Sequence, residues 1–181
     1  MHALYRWLEK FGSYDQEHSI VEVTVENTSK GTPFQIKGID LQKTDEGEPV
    51  SEAGVTYPTA GTNSIIALHV DLDAPQCVAR QIVYGDGHNS IEPSPYFERN
   101  VIDVAPGELV TLRIMGVAKE RAYSWTPLLL VDTPSWKRAR SIPVPIEIQR
   151  TSAVPREGYA TELIWNWFAG PRDADFTPPM T

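Results

Sequence analysis

The sequence predicts an all-β sandwich, and three observations carry that expectation. Short stretches alternate apolar and polar residues, as where Val21, Val23 and Val25 interleave with Glu22, Thr24 and Glu26. Turn-forming residues separate these stretches. Between residues 100 and 116 both signals meet: Ile102 and Val104 precede Pro106-Gly107, and Val110, Leu112 and Ile114 follow it. A period of two with one apolar face marks a strand buried on one side. In a type II turn Pro presets φ and Gly takes the positive φ. Unprimed turns splay the strands they join, so this one is expected to make a corner between two sheets.

The elements follow in order. Leu4, Trp7, Leu8 and Phe11 fall at i, i+3, i+4 and i+7, which predicts an amphipathic helix over residues 1–12, stopped by Gly12. So short a helix is marginal alone and is expected to dock on the rest of the chain. Strand periodicity starts at Ser19. In residues 32–42, Phe34 and Ile36 share one parity and Ile39 and Leu41 the other, so a bulge is expected at Gly38. Residues 43–60 read as a long polar loop. Ile66, Leu68, Val70 and Leu72 line one side of a third strand, and residues 77–84 form a fourth. Residues 85–95 read as a second loop, and residues 123–131 are apolar enough for burial on both faces.

That makes roughly seven strands over residues 19–132, at sandwich spacing. In architecture the region resembles immunoglobulin-like and fibronectin-III-like sandwiches, without the Cys…Trp…Cys framework of the former. Residues 133–181 hold seven of the fifteen prolines and read as a Pro-rich extension that packs on the sandwich and completes or covers an edge. Pro143 and Pro145 make residues 141–149 an edge strand. Residues 159–168 fit either strand or helix periodicity, and their aromatic content favours strand. The tail after Gly170 is expected to be disordered.

Composition narrows the function. The 181-residue chain is 41% hydrophobic, enough to bury a core. Its charge of −8, from 24 acidic and 16 basic residues, works against binding nucleic acid or anionic membranes. Cys77 is the single cysteine, which excludes an intramolecular disulfide and reads as a structural thiol. The N-terminus lacks the pattern of a signal peptide, and no apolar run approaches the roughly 18 residues of a membrane span. A cytoplasmic location is the resulting expectation.

Two groups of residues could carry chemistry. On a strand, His69, Asp71 and Asp73 share a side, and the loop 85–89 adds Asp86 and His88. Nitrogen and oxygen donors of this kind suit a divalent metal. The competing reading is a solvated strand face, because a strand with Ile66, Leu68, Val70 and Leu72 inside must place polar residues at 69, 71 and 73. No nucleophile elbow, phosphate-binding loop or dinucleotide fingerprint is present, and no organic cofactor is implied. The second group is the island Trp136-Lys137-Arg138-Ala139-Arg140, joined by Trp165 and Trp167 further on. Trp and Arg are enriched at binding hot spots, so Trp136, Arg138, Arg140, Trp165 and Trp167 are the expected partner-binding residues.

The reading that results is a non-catalytic interaction module: an adaptor, or a binding domain within a larger assembly. Its partner is another protein or other domains of its parent protein, and loops 43–63 and 85–99 contribute to the surface. A metal-dependent enzyme or metal-binding module centred on His69, Asp71 and Asp73 is the alternative. Carbohydrate or small-ligand binding through exposed tryptophans is a third.

Overall fold

The computed structural model describes residues 13–51, 54–56, 66–85, 89–160, 162–165 and 176–177. The expected N-terminal helix over residues 1–12 and most of the tail lie outside them. In chain order the first strands are β1 (Asp15–Gln16), β2 (His18–Glu26), β3 (Phe34–Gly47), β4 (Gly54–Thr56), β5 (Ile66–Asp71), β6 (Ala79–Tyr84) and β7 (Asn89–Pro95). A helical turn, α1 (Tyr96–Arg99), follows. After it come β8 (Ile102–Val104), β9 (Leu109–Val117), β10 (Ala122–Asp132), β11 (Arg140–Pro143), β12 (Gln149–Ser152), β13 (Glu162–Trp165) and β14 (Phe176–Thr177).

The protein is mostly β, with two packed sheets as in a sandwich. One has the order β1-β12-β10-β3-β8, and β11 also pairs with β10. The other has the order β2-β9-β5-β6-β7. A small third sheet joins β14, β13 and β4. β10 is the spine of the first sheet. β3 runs antiparallel along one of its edges, while β12 (at residues 122–125) and β11 (at residues 128–131) lie end to end along the other. Instead of one edge strand over residues 141–149, the chain forms two short strands, Arg140–Pro143 and Gln149–Ser152, and Pro143 lies on the edge strand β11, where it is tolerated.

The Pro106-Gly107 turn makes the expected corner. β8 belongs to the first sheet and β9 to the second. The Glu108 N–H donates to Ala105 O at 2.9 Å, and Gly107 adopts φ +79°. Asn27, 3% exposed, locks this end: its Nδ2 donates to Val104 O (2.8 Å) and Thr32 O (3.0 Å), and its carbonyl accepts from the Gly107 N–H (2.7 Å). The β3–β10 ladder slips register between Leu130 and Val131, opposite Gly38 and Ile36, where the parity change placed a bulge. At the other end the chain passes from the first sheet to the second at Glu17, a non-glycine with φ +60°. Its N–H donates to Ser152 O and its carbonyl accepts from the Ala118 N–H, both at 2.8 Å, so both sheets hold the kink in place.

The two loops expected at 43–60 and 85–95 are partly strand. β3 continues to Gly47, and residues 89–95 form β7, in spite of Pro93 and Pro95, because β7 is an edge strand. The core lies between the main sheets and includes Val21, Val23, Ile36, Leu68, Val70, Leu112, Ile114 and Trp125. Trp125 is its largest fully buried side chain. Its indole N–H is shared between Thr151 Oγ1 (2.9 Å) and Ser19 Oγ (3.2 Å), and those two hydroxyls are 2.5 Å apart. Gly116 on β9 makes room for the ring.

Candidate functional site

β10 ends at Asp132, and the chain reverses through residues 133–139 into β11. Thr133 organises the reversal. Its carbonyl accepts from the Trp136 N–H (3.0 Å), and its hydroxyl accepts from the Ser135 N–H (3.1 Å) and meets Ser135 Oγ at 2.7 Å. The indole of Trp136 is half-buried and packs against the core, which anchors the turn from below. Arg140 lays its guanidinium over that indole, 4.6 Å from the ring centroid. Cation–π contact of this kind holds a guanidinium in place without neutralising it. Lys137 and Arg138 are exposed beside it.

None of these three cations forms an ion pair among the described residues, where the pairs are Lys37–Asp132, Arg113–Glu22, and Arg121 with Asp45 and Glu48. The nearby Asp132 is already engaged by Lys37, at 2.5 Å. Three positive charges therefore stand together on a fixed turn of an acidic protein. Of the other tryptophans named from the sequence, Trp165 ends β13, and Trp167 lies outside the described residues.

The His69 strand differs from its sequence reading. β5 is the central strand of the second sheet, between β9 and β6, and both its faces are covered. Ala67 is 2% exposed and His69 8% exposed, so the polar face of this strand is not a solvated one. Burial holds the His69 imidazole below its ordinary pKa; the Asp71 carboxylate opposes the shift, while Lys119 and Arg80 add to it. Among the described residues its Nδ1 has no hydrogen-bond partner.

The two carboxylates hold the chain just beyond β5. Asp71 Oδ1 accepts from the Asp73 N–H at 3.0 Å. Asp73 takes the Lys119 N–H on Oδ2 (2.6 Å) and the Tyr123 hydroxyl on Oδ1 (3.0 Å). Among the described residues no three His, Cys, Asp or Glu side chains converge as metal ligands would. Asp86 and His88 lie outside those residues.

Lys43, which has no signal in the sequence, and the core residue Tyr123 organise the same region. Lys43 Nζ donates to Leu72 O (2.5 Å) and Ala74 O (3.0 Å) and sits 5.0 Å from the centre of the Tyr123 ring. Only tertiary pairing brings them there, since β3 and β10 are distant in sequence. Cys77, beside this loop, is half-buried, and burial raises its thiol pKa, which leaves it a poor nucleophile. At the opposite end of β10 from Trp136, a groove of about 660 Å³ runs past Glu48, Lys119, Glu120, Arg156 and Tyr159. Its walls mix both signs of charge and point to no one ligand.

No protein-family model matches the chain, and searches of curated proteins and of solved structures found no significant match.

Proposed function

We propose that the protein is a non-catalytic interaction module that docks an acidic surface of a partner protein onto the Trp136–Arg140 corner. The observation that carries this reading is the trio of cations Lys137, Arg138 and Arg140 on a turn anchored by Trp136, with no carboxylate paired to them among the described residues. A charge cluster meant only for solubility needs no anchored indole. One meant for binding gains from fixed geometry, because less side-chain freedom is lost on docking. The surrounding net charge of −8 favours a local, protein-sized contact over the extended basic track that nucleic acid or membranes require. The scaffold is an immunoglobulin-like or fibronectin-III-like sandwich. It serves as an adaptor or as one domain of a larger assembly, in the cytoplasm. Among the described residues no helix is long and apolar enough to cross a membrane.

Titration with a poly-glutamate peptide tests the reading directly. The expected result is saturable quenching or enhancement of tryptophan emission, weakened by salt and reduced about tenfold or more in Arg138→Glu/Arg140→Glu, a difference of about 1.4 kcal/mol. Equal binding by wild type and the double variant would refute it.

A further inference from the structure

Most edges of the two main sheets carry a device that discourages pairing with another chain. β7 holds Pro93 and Pro95, β8 has three residues and β1 has two. On β11, the bond from the Val144 N–H to Pro127 O (3.1 Å) sets the alternation. It turns residues 141 and 143 to the open side, where Pro143 has no N–H to offer. Short edges and edge prolines are the usual guards. β2 has neither. It runs nine residues without Pro, Gly or Lys and pairs only with β9 among the described strands.

The direction of its free groups follows from the ladder. Ala118 N–H to Glu17 O (2.8 Å) and Asn27 N–H to Glu108 O (3.1 Å) bracket β2 and β9 in one unbroken register. Antiparallel strands alternate residues bonded to the neighbour with residues turned outward. The odd-numbered residues of β2 therefore bond β9. The N–H and C=O of Ile20, Glu22, Thr24 and Glu26 face the open side. All four of these residues are exposed. The Ser19–Thr151 hydrogen bond stacks β2 over β12, and β11 continues along the same edge of β10. On that facing edge Ile142, paired with the core residue Leu129, is 41% exposed.

We propose that the free edge of β2 is a strand-addition site for an extended segment of a partner protein in which β-branched and cationic residues alternate. Four donors and four acceptors in line supply the backbone ladder, and Ile142 on the facing edge offers an apolar contact to an inward side chain. Glu26 flanks the edge and selects a cation on the outward side, while Glu22 beside it is engaged by Arg113. A second β2 brings another Glu26 and no Lys or Arg, so it offers no cation to that carboxylate, which disfavours a second copy of this chain. This site is separate from the Trp136 corner and does not rest on it.

The test titrates the full chain with a capped nine-residue peptide in which lysines alternate with valines and threonines, followed by residue-resolved amide hydrogen exchange. Exchange at Ile20, Glu22, Thr24 and Glu26 should slow at least about tenfold at saturation, with no change at Val21, Val23 and Val25. Thr24→Pro removes an outward N–H while sparing the β9 ladder, and should abolish the effect. Should that variant fail to fold, the even–odd pattern in the wild-type chain decides. Absence of protection at millimolar peptide would overturn the proposal, as would equal protection by a peptide with glutamate in place of lysine. Protection that appears without peptide and rises with protein concentration would overturn it too, by assigning the edge to a second copy.

Discussion

Gly116 → Ala is the sharpest probe of how the sandwich closes. A Cβ at this position would lie 2.5 Å from Cζ2 and 2.7 Å from Cε2 of Trp125. Carbon atoms in contact sit about 3.5–4.0 Å apart, so the ring or strand β9 must retreat by about 1 Å. The ring has nowhere to go, because Trp125 is 1% exposed and its indole N–H is tied to Thr151 and Ser19. Overpacking of this kind costs about 1–3 kcal/mol. A displaced indole also strands a buried donor, for a further 1–3 kcal/mol or so. The stiffer unfolded chain returns about 0.4–1 kcal/mol. The net loss centres near 3 kcal/mol, which at about 2–4 °C per kcal/mol lowers Tm by about 6–12 °C. Gly38 → Ala is the control: its Cβ meets Leu130 at 3.3 Å, and Leu130 is only half-buried and free to give. Urea unfolding followed by tryptophan emission measures both. A Gly116 variant within about 0.5 kcal/mol of wild type, or a Gly38 variant that costs as much, would refute the packing argument.

Thr151→Val keeps the shape of its side chain but removes the hydroxyl shared by Trp125 and Ser19, and should cost about 1–3 kcal/mol in the same assay. His69 gives a pH dependence of known sign. Its folded pKa lies below the value of about 6.5 expected for the unfolded chain, so the unfolded state binds more protons. Stability from this group is complete above that value and is lost as pH falls from there through the folded pKa. His69→Leu should flatten the slope of unfolding free energy between about pH 7 and pH 5, and an unchanged slope would show that His69 is not buried as described. Trp136→Ala should lower stability modestly and weaken poly-glutamate binding even though every cation remains, as read by calorimetric titration, because the platform under Arg140 is gone.

What the sequence made legible was whatever depends on neighbours along the chain. The alternation of Val21, Val23 and Val25 fixed a strand, the phase change at Gly38 fixed a bulge, and Pro106-Gly107 fixed a turn between sheets. Residues 89–95 misled because Pro93 and Pro95 suggest a loop, whereas an edge strand tolerates both. The polar face of β5 misled for a different reason. Alternation says which residues share a face, and only the tertiary structure, which buries Ala67 and His69, says that this face is covered there. The contact of Lys43 with Tyr123 and the Ser19–Thr151–Trp125 network have no local signature at all, since each joins residues far apart in sequence. At the candidate site the composition of Trp136 to Arg140 was legible. The half-burial of the indole, the stacking of Arg140 upon it and the capture of Asp132 by Lys37 were not.

The measurement that bears most directly on the account is a comparative capture from source-cell lysate. Wild type and Lys137→Glu/Arg138→Glu/Arg140→Glu serve as baits, each with and without EDTA and nuclease. An interaction module working through this corner retains a stoichiometric protein partner on the wild-type bait, indifferent to EDTA and nuclease, and loses it on the triple variant. A partner held equally by both baits, or released from wild type by EDTA or nuclease, would contradict it.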